Sequence, residues 1–201
     1  DELMLVSAKG ASVRFRADDA TLRPMGRATS GVQGIRLRHG DTALSMEVVR
    51  PGSHMVTVTD GGYAKRTSVT EWRTQGRNTY GVTAMKLVEA RGSLVGALIC
   101  QESDELYAIA SNGVVIRTRV DQVRATGRAT MGVSLMDLAE GDSVVGVARS
   151  ADLSEDDEVL DDVVEGVDPE TAVDPDEVVP EPSTGAEPQD SGEDLIEDSG
   201  T

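Results

Sequence analysis

The sequence carries one cysteine, two histidines and five aromatic side chains in 201 residues. With Cys100 alone no internal disulfide can form, and its setting in Leu98-Ile99-Cys100 reads as a small buried hydrophobe rather than a reactive thiol. His39 and His54 have neither a cysteine nor another histidine at ligand spacing, so they read as loop or strand-end residues and not as metal ligands. No apolar run approaches the length of about twenty residues that crosses a bilayer, and the N-terminus lacks a charged-then-apolar leader. The chain is therefore expected in the cytoplasm, without a membrane partner. Its glycine-rich stretches match neither a phosphate-binding loop nor a dinucleotide fingerprint, because no helix follows them. No Ser-His-Asp set or carboxylate pair can be picked out along the chain, and Tyr63, Tyr80 and Tyr107 read as packing or surface residues rather than nucleophiles. No catalytic residue, metal site or cofactor is assigned to this chain.

One end of the sequence lacks positive charge altogether. All nineteen Lys and Arg lie in residues 1–150 beside sixteen Asp and Glu, which leaves that segment at +3. Residues 151–201 hold the other twenty acids and no base, so the formal net charge of −17 averages two unlike parts. The aromatics all lie in the first part, and five of the seven prolines lie in the second. Only the first part can build a core, and a chain of about 150 residues can bury close to 70% of its unfolded surface. Residues 151–201 are rich in Pro, Ser and Gly, and they are predicted to form a disordered acidic C-terminal tail. The sequence opens at Asp1 without a methionine, in the middle of a repeating pattern, and so reads as cut from a longer chain.

The repeat has a period of fifty-one or fifty-two residues. Leu3-Met4-Leu5-Val6-Ser7, Met55-Val56-Thr57-Val58-Thr59 and Leu106-Tyr107-Ala108-Ile109-Ala110 superimpose, each followed by a glycine (Gly10, Gly62, Gly113) and then by an arginine (Arg14, Arg66, Arg117). A second landmark follows each: Gly26-Arg27-Ala28-Thr29-Ser30-Gly31-Val32, Gly76-Arg77-Asn78-Thr79-Tyr80-Gly81-Val82 and Gly127-Arg128-Ala129-Thr130-Met131-Gly132-Val133 all read G-R-x-T-x-G-V. Leu37, Leu87 and Leu138 come five residues after the valines. Within a unit, apolar runs of four to seven residues are broken by Gly, Asn or Asp, which is the punctuation of strands and turns. The prediction is an all-β, propeller-like array of four-stranded blades, three in number, spanning about 1–52, 53–103 and 104–150. One blade cannot cover both its faces alone, so neighbours must stack. Gly52-Ser53-His54-Met55 resembles the scar of an expression tag, but Met55 is in register with Leu3 and Leu106, so the segment is read as native.

The basic residues recur with the blades. Arg14 and Arg16 are two apart on a strand and share a face, as do Arg117 and Arg119. Lys65 and Arg66, with Arg27, Arg77 and Arg128 of the second landmark, complete a cluster at equivalent places in each unit. One reading is a track for a phosphate backbone, with contacts that are salt-sensitive and indifferent to sequence. There is no recognition helix, no zinc spacing and no aromatic platform for single strands. The other reading is that these arginines keep a glycine-rich β protein in solution. On charge alone the two stand level, because +3 is modest.

At these landmarks the sequence resembles the C-terminal domain of the DNA gyrase A protein, the DNA-wrapping β-pinwheel of bacterial type IIA topoisomerases. The resemblance rests on Gly61-Gly62-Tyr63-Ala64-Lys65-Arg66-Thr67 with Gln75-Gly76-Arg77-Asn78-Thr79-Tyr80-Gly81-Val82, and on Asp104-Glu105-Leu106-Tyr107-Ala108-Ile109 with Gly113-Val114-Val115-Ile116-Arg117-Thr118. It covers residues 1 to about 149. The family's basic box, Q-R-R-G-G-K-G, maps only in part onto residues 75–81, where Gln75, Arg77 and Gly81 match. Residues 25–31 and 126–132 keep only the arginine and the last glycine. The family domain usually has about six blades, of which three are present.

The resemblance implies non-specific binding and wrapping of duplex DNA in support of negative supercoiling. The DNA-contact residues it suggests are Arg14, Arg16, Arg27, Lys65, Arg66, Gln75, Arg77, Arg117, Arg119 and Arg128. It also implies a fragment that is non-catalytic by itself, joined to the rest of the gyrase A protein and to the gyrase B protein in an A2B2 assembly, a holoenzyme that uses ATP and Mg. The acidic tail is expected to compete with DNA for the basic surface at high effective concentration and so to modulate wrapping. Two alternatives remain: the related C-terminal domain of topoisomerase IV, and a protein-interaction propeller that does not bind DNA.

Overall fold

A computed structural model describes residues 1–150; residues 151–201, and with them the predicted disordered tail, lie outside the described residues. Each repeat unit contributes three long strands. These are β1 (Glu2–Ser7), β2 (Ala11–Arg16) and β3 (Ala43–Val48) in the first, and β4 (His54–Thr59), β5 (Tyr63–Ser68) and β7 (Leu94–Cys100) in the second. The third unit contributes β8 (Glu105–Ala110), β9 (Val115–Arg119) and β11 (Val144–Ser150). Two short strands, β6 (Val82–Thr83) and β10 (Val133–Ser134), arise from the G-R-x-T-x-G-V segments. The helical elements among the described residues are three-residue 3-10 turns at Val69–Glu71, Glu89–Arg91 and Val120–Gln122.

The sheets are antiparallel, in the orders β3-β1-β2-β6, β7-β4-β5-β10 and β11-β8-β9. The fourth strand of a blade is therefore not its own. Ala11 and Ser12 pair with Thr83 and Val82 of the next unit, and Ala64 and Tyr63 pair with Val133 and Ser134 of the unit after that. Among the described residues no strand pairs with the outer edge of β9. Likewise Gly26–Val32, the first copy of the landmark, forms no strand and is exposed throughout.

Alternation along the inner strands builds the core, since successive side chains leave opposite faces of a strand. From β1, Leu3 enters one apolar cluster with Val13, Phe15 and Ile35, while Met4 and Val6 enter the next with Met55, Trp72, Leu94 and Ile99. From β4, Met55 points into that second cluster, and Val56 and Val58 point into a third with Leu106, Ala108 and Val144. The middle blade is thus buried on both faces, and β4 is buried from Met55 to Thr59. β8 is buried on one face only, through Leu106, Ala108 and Ala110, with Ile109 exposed. Met55 is completely buried and Ser53 bonds the Arg50 carbonyl at 2.6 Å, so Gly52-Ser53-His54-Met55 is an integral part of the array. Cys100 is buried, and burial pushes its thiol up to about 12, which leaves it inert at neutral pH.

Candidate nucleic-acid interface

The arginine that recurs in each unit lies on that unit's second strand, β2, β5 or β9, and in the first two units that strand receives the neighbour. Arg14 on β2 pairs with Glu2, and its guanidinium donates to the carbonyls of Val69 (2.8 Å) and Trp72 (3.0 Å), the 3-10 turn of the following unit. Arg66 on β5 repeats this one unit later: it pairs with Glu102, and its Nε donates to the Val123 carbonyl at 2.7 Å, just past the third unit's turn. Both are largely covered, with 18% and 13% of the side chain exposed. Among the described residues no following turn lies against Arg117 on β9. This arginine forms a two-pronged pair with Glu105 (2.7 and 2.6 Å) and stays 64% exposed. The Arg14 and Arg117 guanidiniums lower the pKa values of the Glu2 and Glu105 carboxyls. Glu2 is held down first by the Thr74 hydroxyl and then by Arg14, and Glu105 chiefly by Arg117.

The second landmark is the strap that joins blades. Across β2 the Gln75 backbone N–H donates to the Arg14 carbonyl at 2.7 Å, and across β5 the Arg66 backbone N–H donates to the Arg124 carbonyl at 3.1 Å. Lys65 is fully buried and its ammonium donates to the strap carbonyls of Gly127 (2.8 Å) and Arg128 (2.6 Å). Burial, aided by the nearby Arg128 charge, lowers its pKa to about 8. The last glycine of the strap packs against the receiving strand with a positive φ, 67° at Gly81 and 74° at Gly132. A Cβ there would collide with the carbonyl oxygen of Ser12 or, at 2.6 Å, with that of Ala64. The motif threonine closes the turn, as in Thr130 Oγ1 to the Gly127 carbonyl at 2.8 Å. Arg77 spends its guanidinium on the Thr21 carbonyl (2.7 Å) and the Gln33 carbonyl (3.2 Å), and Arg128 lies over the Trp72 ring while donating to the Thr83 carbonyl.

The ten residues suggested by the sequence therefore divide. Arg14, Lys65, Arg66, Gln75, Arg77 and Arg128 sit at blade junctions and hold strap or turn, whereas Arg16, Arg27, Arg117 and Arg119 are exposed. Arg119 pairs with Asp121 at 2.9 Å, and Arg16 approaches Glu2 at 4.0 Å. The structure adds residues outside that set. Arg36 and Arg38, exposed and two apart, both place their guanidiniums over the ring of Tyr80, at 5.4 and 4.9 Å from its centre. The spacing of the two arginines is visible in the sequence, but no local pattern links them to a tyrosine forty-odd positions later.

Charge also differs along the array, equal in the first two units and lower in the third. Residues 1–52 hold eight bases against six acids, 53–103 six against four, and 104–150 five against six. No group of three or more His, Cys, Asp and Glu able to hold a metal ion occurs among the described residues, and no helix there is long and apolar enough to cross a membrane.

Strap-exchanged β blades with arginine-bearing outer segments define a pinwheel-type propeller. The family model described as DNA gyrase C-terminal domain, beta-propeller, matches residues 1–50, 53–101 and 104–151, one match per unit. The DNA gyrase A protein of Streptomyces coelicolor is 59% identical over 161 residues, and that of Mycobacterium tuberculosis 53% over 161; each alignment covers 80% of this chain and 19% of the relative. The chain thus spans about a fifth of the length of these relatives. Among solved structures, a DNA gyrase A C-terminal domain superposes with a TM-score of 0.68 at 27% identity, over 74% of this chain and 50% of that one. A topoisomerase IV C-terminal domain gives 0.69 at 25% identity, over 74% and 46%. The chain belongs to the family of DNA gyrase C-terminal domains.

Proposed function

We propose that this chain binds duplex DNA without reading bases and wraps it, as part of the C-terminal region of a gyrase A protein, in support of negative supercoiling. Membership of the family in all three units carries the reading, and the exposed arginines supply its chemistry. Bending duplex sharply costs on the order of 1–6 kcal/mol per 20–30 base pairs, and phosphate contacts spread along a curved array offset that cost. Arg16, Arg27, Arg117 and Arg119 serve as contacts, while Arg14, Lys65, Arg66, Gln75, Arg77 and Arg128 act through the straps by fixing how one blade follows another. In the holoenzyme the chain works in a cytoplasmic A2B2 assembly with the gyrase B protein. ATP and Mg serve the holoenzyme, and this chain binds no cofactor of its own.

The test is a filter-binding titration of the 201-residue chain with duplex DNA at several salt concentrations, paired with relaxation of a closed circular plasmid in its presence. Binding should weaken by orders of magnitude with salt, and the plasmid should acquire a linking-number change of one sign. Binding without a topological change would leave a DNA-binding module that does not wrap. No binding at all would favour a protein-interaction propeller. Residues 151–201 act in this scheme as a tethered competitor with twenty acids. Their deletion should tighten binding at low salt, and an unchanged affinity would remove the tail from the account.

A further inference from the structure

The junction between the first and second units carries a feature that the second junction lacks. Strap residues 78–80 are locked to the first unit's outer segment by Asn78 N to the Gly34 carbonyl (2.6 Å), Arg36 N to the Thr79 carbonyl (2.8 Å) and a parallel bridge between Ile35 and Thr79. This pairing delivers Tyr80, 47% exposed, beneath both Arg36 and Arg38. Neither arginine has a carboxylate partner or a side-chain hydrogen bond among the described residues, in contrast to Arg14, Arg66, Arg117 and Arg119, which all face acids. Lys9 reaches the same stretch, with Nζ 3.2 Å from the His39 carbonyl.

At the second junction one of these backbone contacts recurs, Lys86 N donating to the Thr130 carbonyl at 3.0 Å, but the side chains do not. In register, Tyr80 becomes Met131, Arg36 becomes Lys86 and Arg38 becomes Val88. The nearby Arg91 is occupied by the carbonyls of Met131 (3.3 Å) and Gly132 (2.9 Å) and by the Tyr63 ring.

We propose that Arg36 and Arg38, held side by side on the Tyr80 ring, form a two-pronged contact for the phosphate backbone of duplex DNA at the junction of the first two units. The inference rests on the DNA-binding reading above and assigns it a place. The ring restrains two long side chains that no hydrogen bond among the described residues fixes, so less freedom is lost when they meet phosphates. Because both guanidiniums lie over one ring they reach neighbouring phosphates of one strand, and with no carboxylate partner among the described residues they release counterions when they do. Arg36 and Arg38 are the contact residues, and Tyr80 is a positioning residue.

Duplex binding by the 201-residue chain, measured as a function of salt, tests this with three variants. Arg36→Gln with Arg38→Gln should reduce the slope of log affinity against log salt by about 1.8, two contacts at about 0.9 each, and weaken binding roughly 60-fold at 0.1 M salt. Tyr80→Ala should weaken binding by about threefold with the slope kept, and Tyr80→Phe, which keeps the ring face, should bind like the parent. Thermal melting should be the same for the parent and the double arginine variant, since among the described residues the two guanidiniums hold no other part of the fold. A parental slope in the double variant, with the parent chain binding DNA normally, would overturn this site and leave the wider reading standing. Failure of the parent chain to bind DNA would take both down. Parental affinity in Tyr80→Ala would remove the positioning role.

Discussion

Arg66 and Arg117 occupy the same place in the repeat and lead different lives. Arg66 is covered, paired with Glu102 and bonded to the third unit's turn, whereas Arg117 is exposed and, among the described residues, bound to Glu105 on its own hairpin. What separates them among the described residues is that another unit's strap and turn lie over β5 and none lies over β9. A repeated basic residue that a neighbour covers is thus a clamp, and the repeat pattern alone does not mark which copies are covered.

That contrast can be tested on the stability of the chain, by urea unfolding. The largest effect should come from Arg66→Ala, which removes charge-assisted bonds to the Val123 and Asp121 carbonyls of the third unit; a loss of about 3 kcal/mol is expected. Arg117→Ala should leave the midpoint unmoved, because an exposed pair contributes little. Equal losses at the two positions would mean that the strap does not set the role.

A smaller difference is expected between copies of the strap glycine. Gly31 and Gly132 both have a positive φ, 75° and 74°, but a Cβ at Gly31 meets open space and one at Gly132 meets the Ala64 carbonyl at 2.6 Å. Gly31→Ala should cost about 1 kcal/mol from backbone strain alone, and Gly132→Ala about 2 kcal/mol more.

The smallest effect concerns Lys65, whose counterparts are the apolar Val13 and Ile116. Its folded pKa of about 8 lies below the free value of 10.5, so the unfolded chain holds more proton across that window and stability rises with pH through it. Between pH 7 and 9 the gain should be on the order of 1 kcal/mol. Lys65→Met should flatten this pH dependence, and a slope that survives the substitution would place its origin elsewhere.

Much of the architecture is legible along the chain. The three units, their strands and the all-β class follow from alternation and glycine spacing, which are local and repeat in register. The exchange of strands is not legible there, since Val82 and Val133 look like part of their own unit until their partners, Ser12 and Ala64, are seen across the junction. The candidate site divides in the same way. Arg16, Arg27, Arg117 and Arg119 are exposed, while Lys65 and Arg66 group with them only because composition treats all cations alike.

From the chain's residues alone came the repeat, the division into a mildly basic body and an acidic end, and the family, because each is written in short-range order and in charge count. Which arginines meet solvent, which hold a neighbouring blade and which gather on Tyr80 depended on packing, because burial and ring contacts arise between segments some forty to sixty residues apart whose meeting no local pattern records.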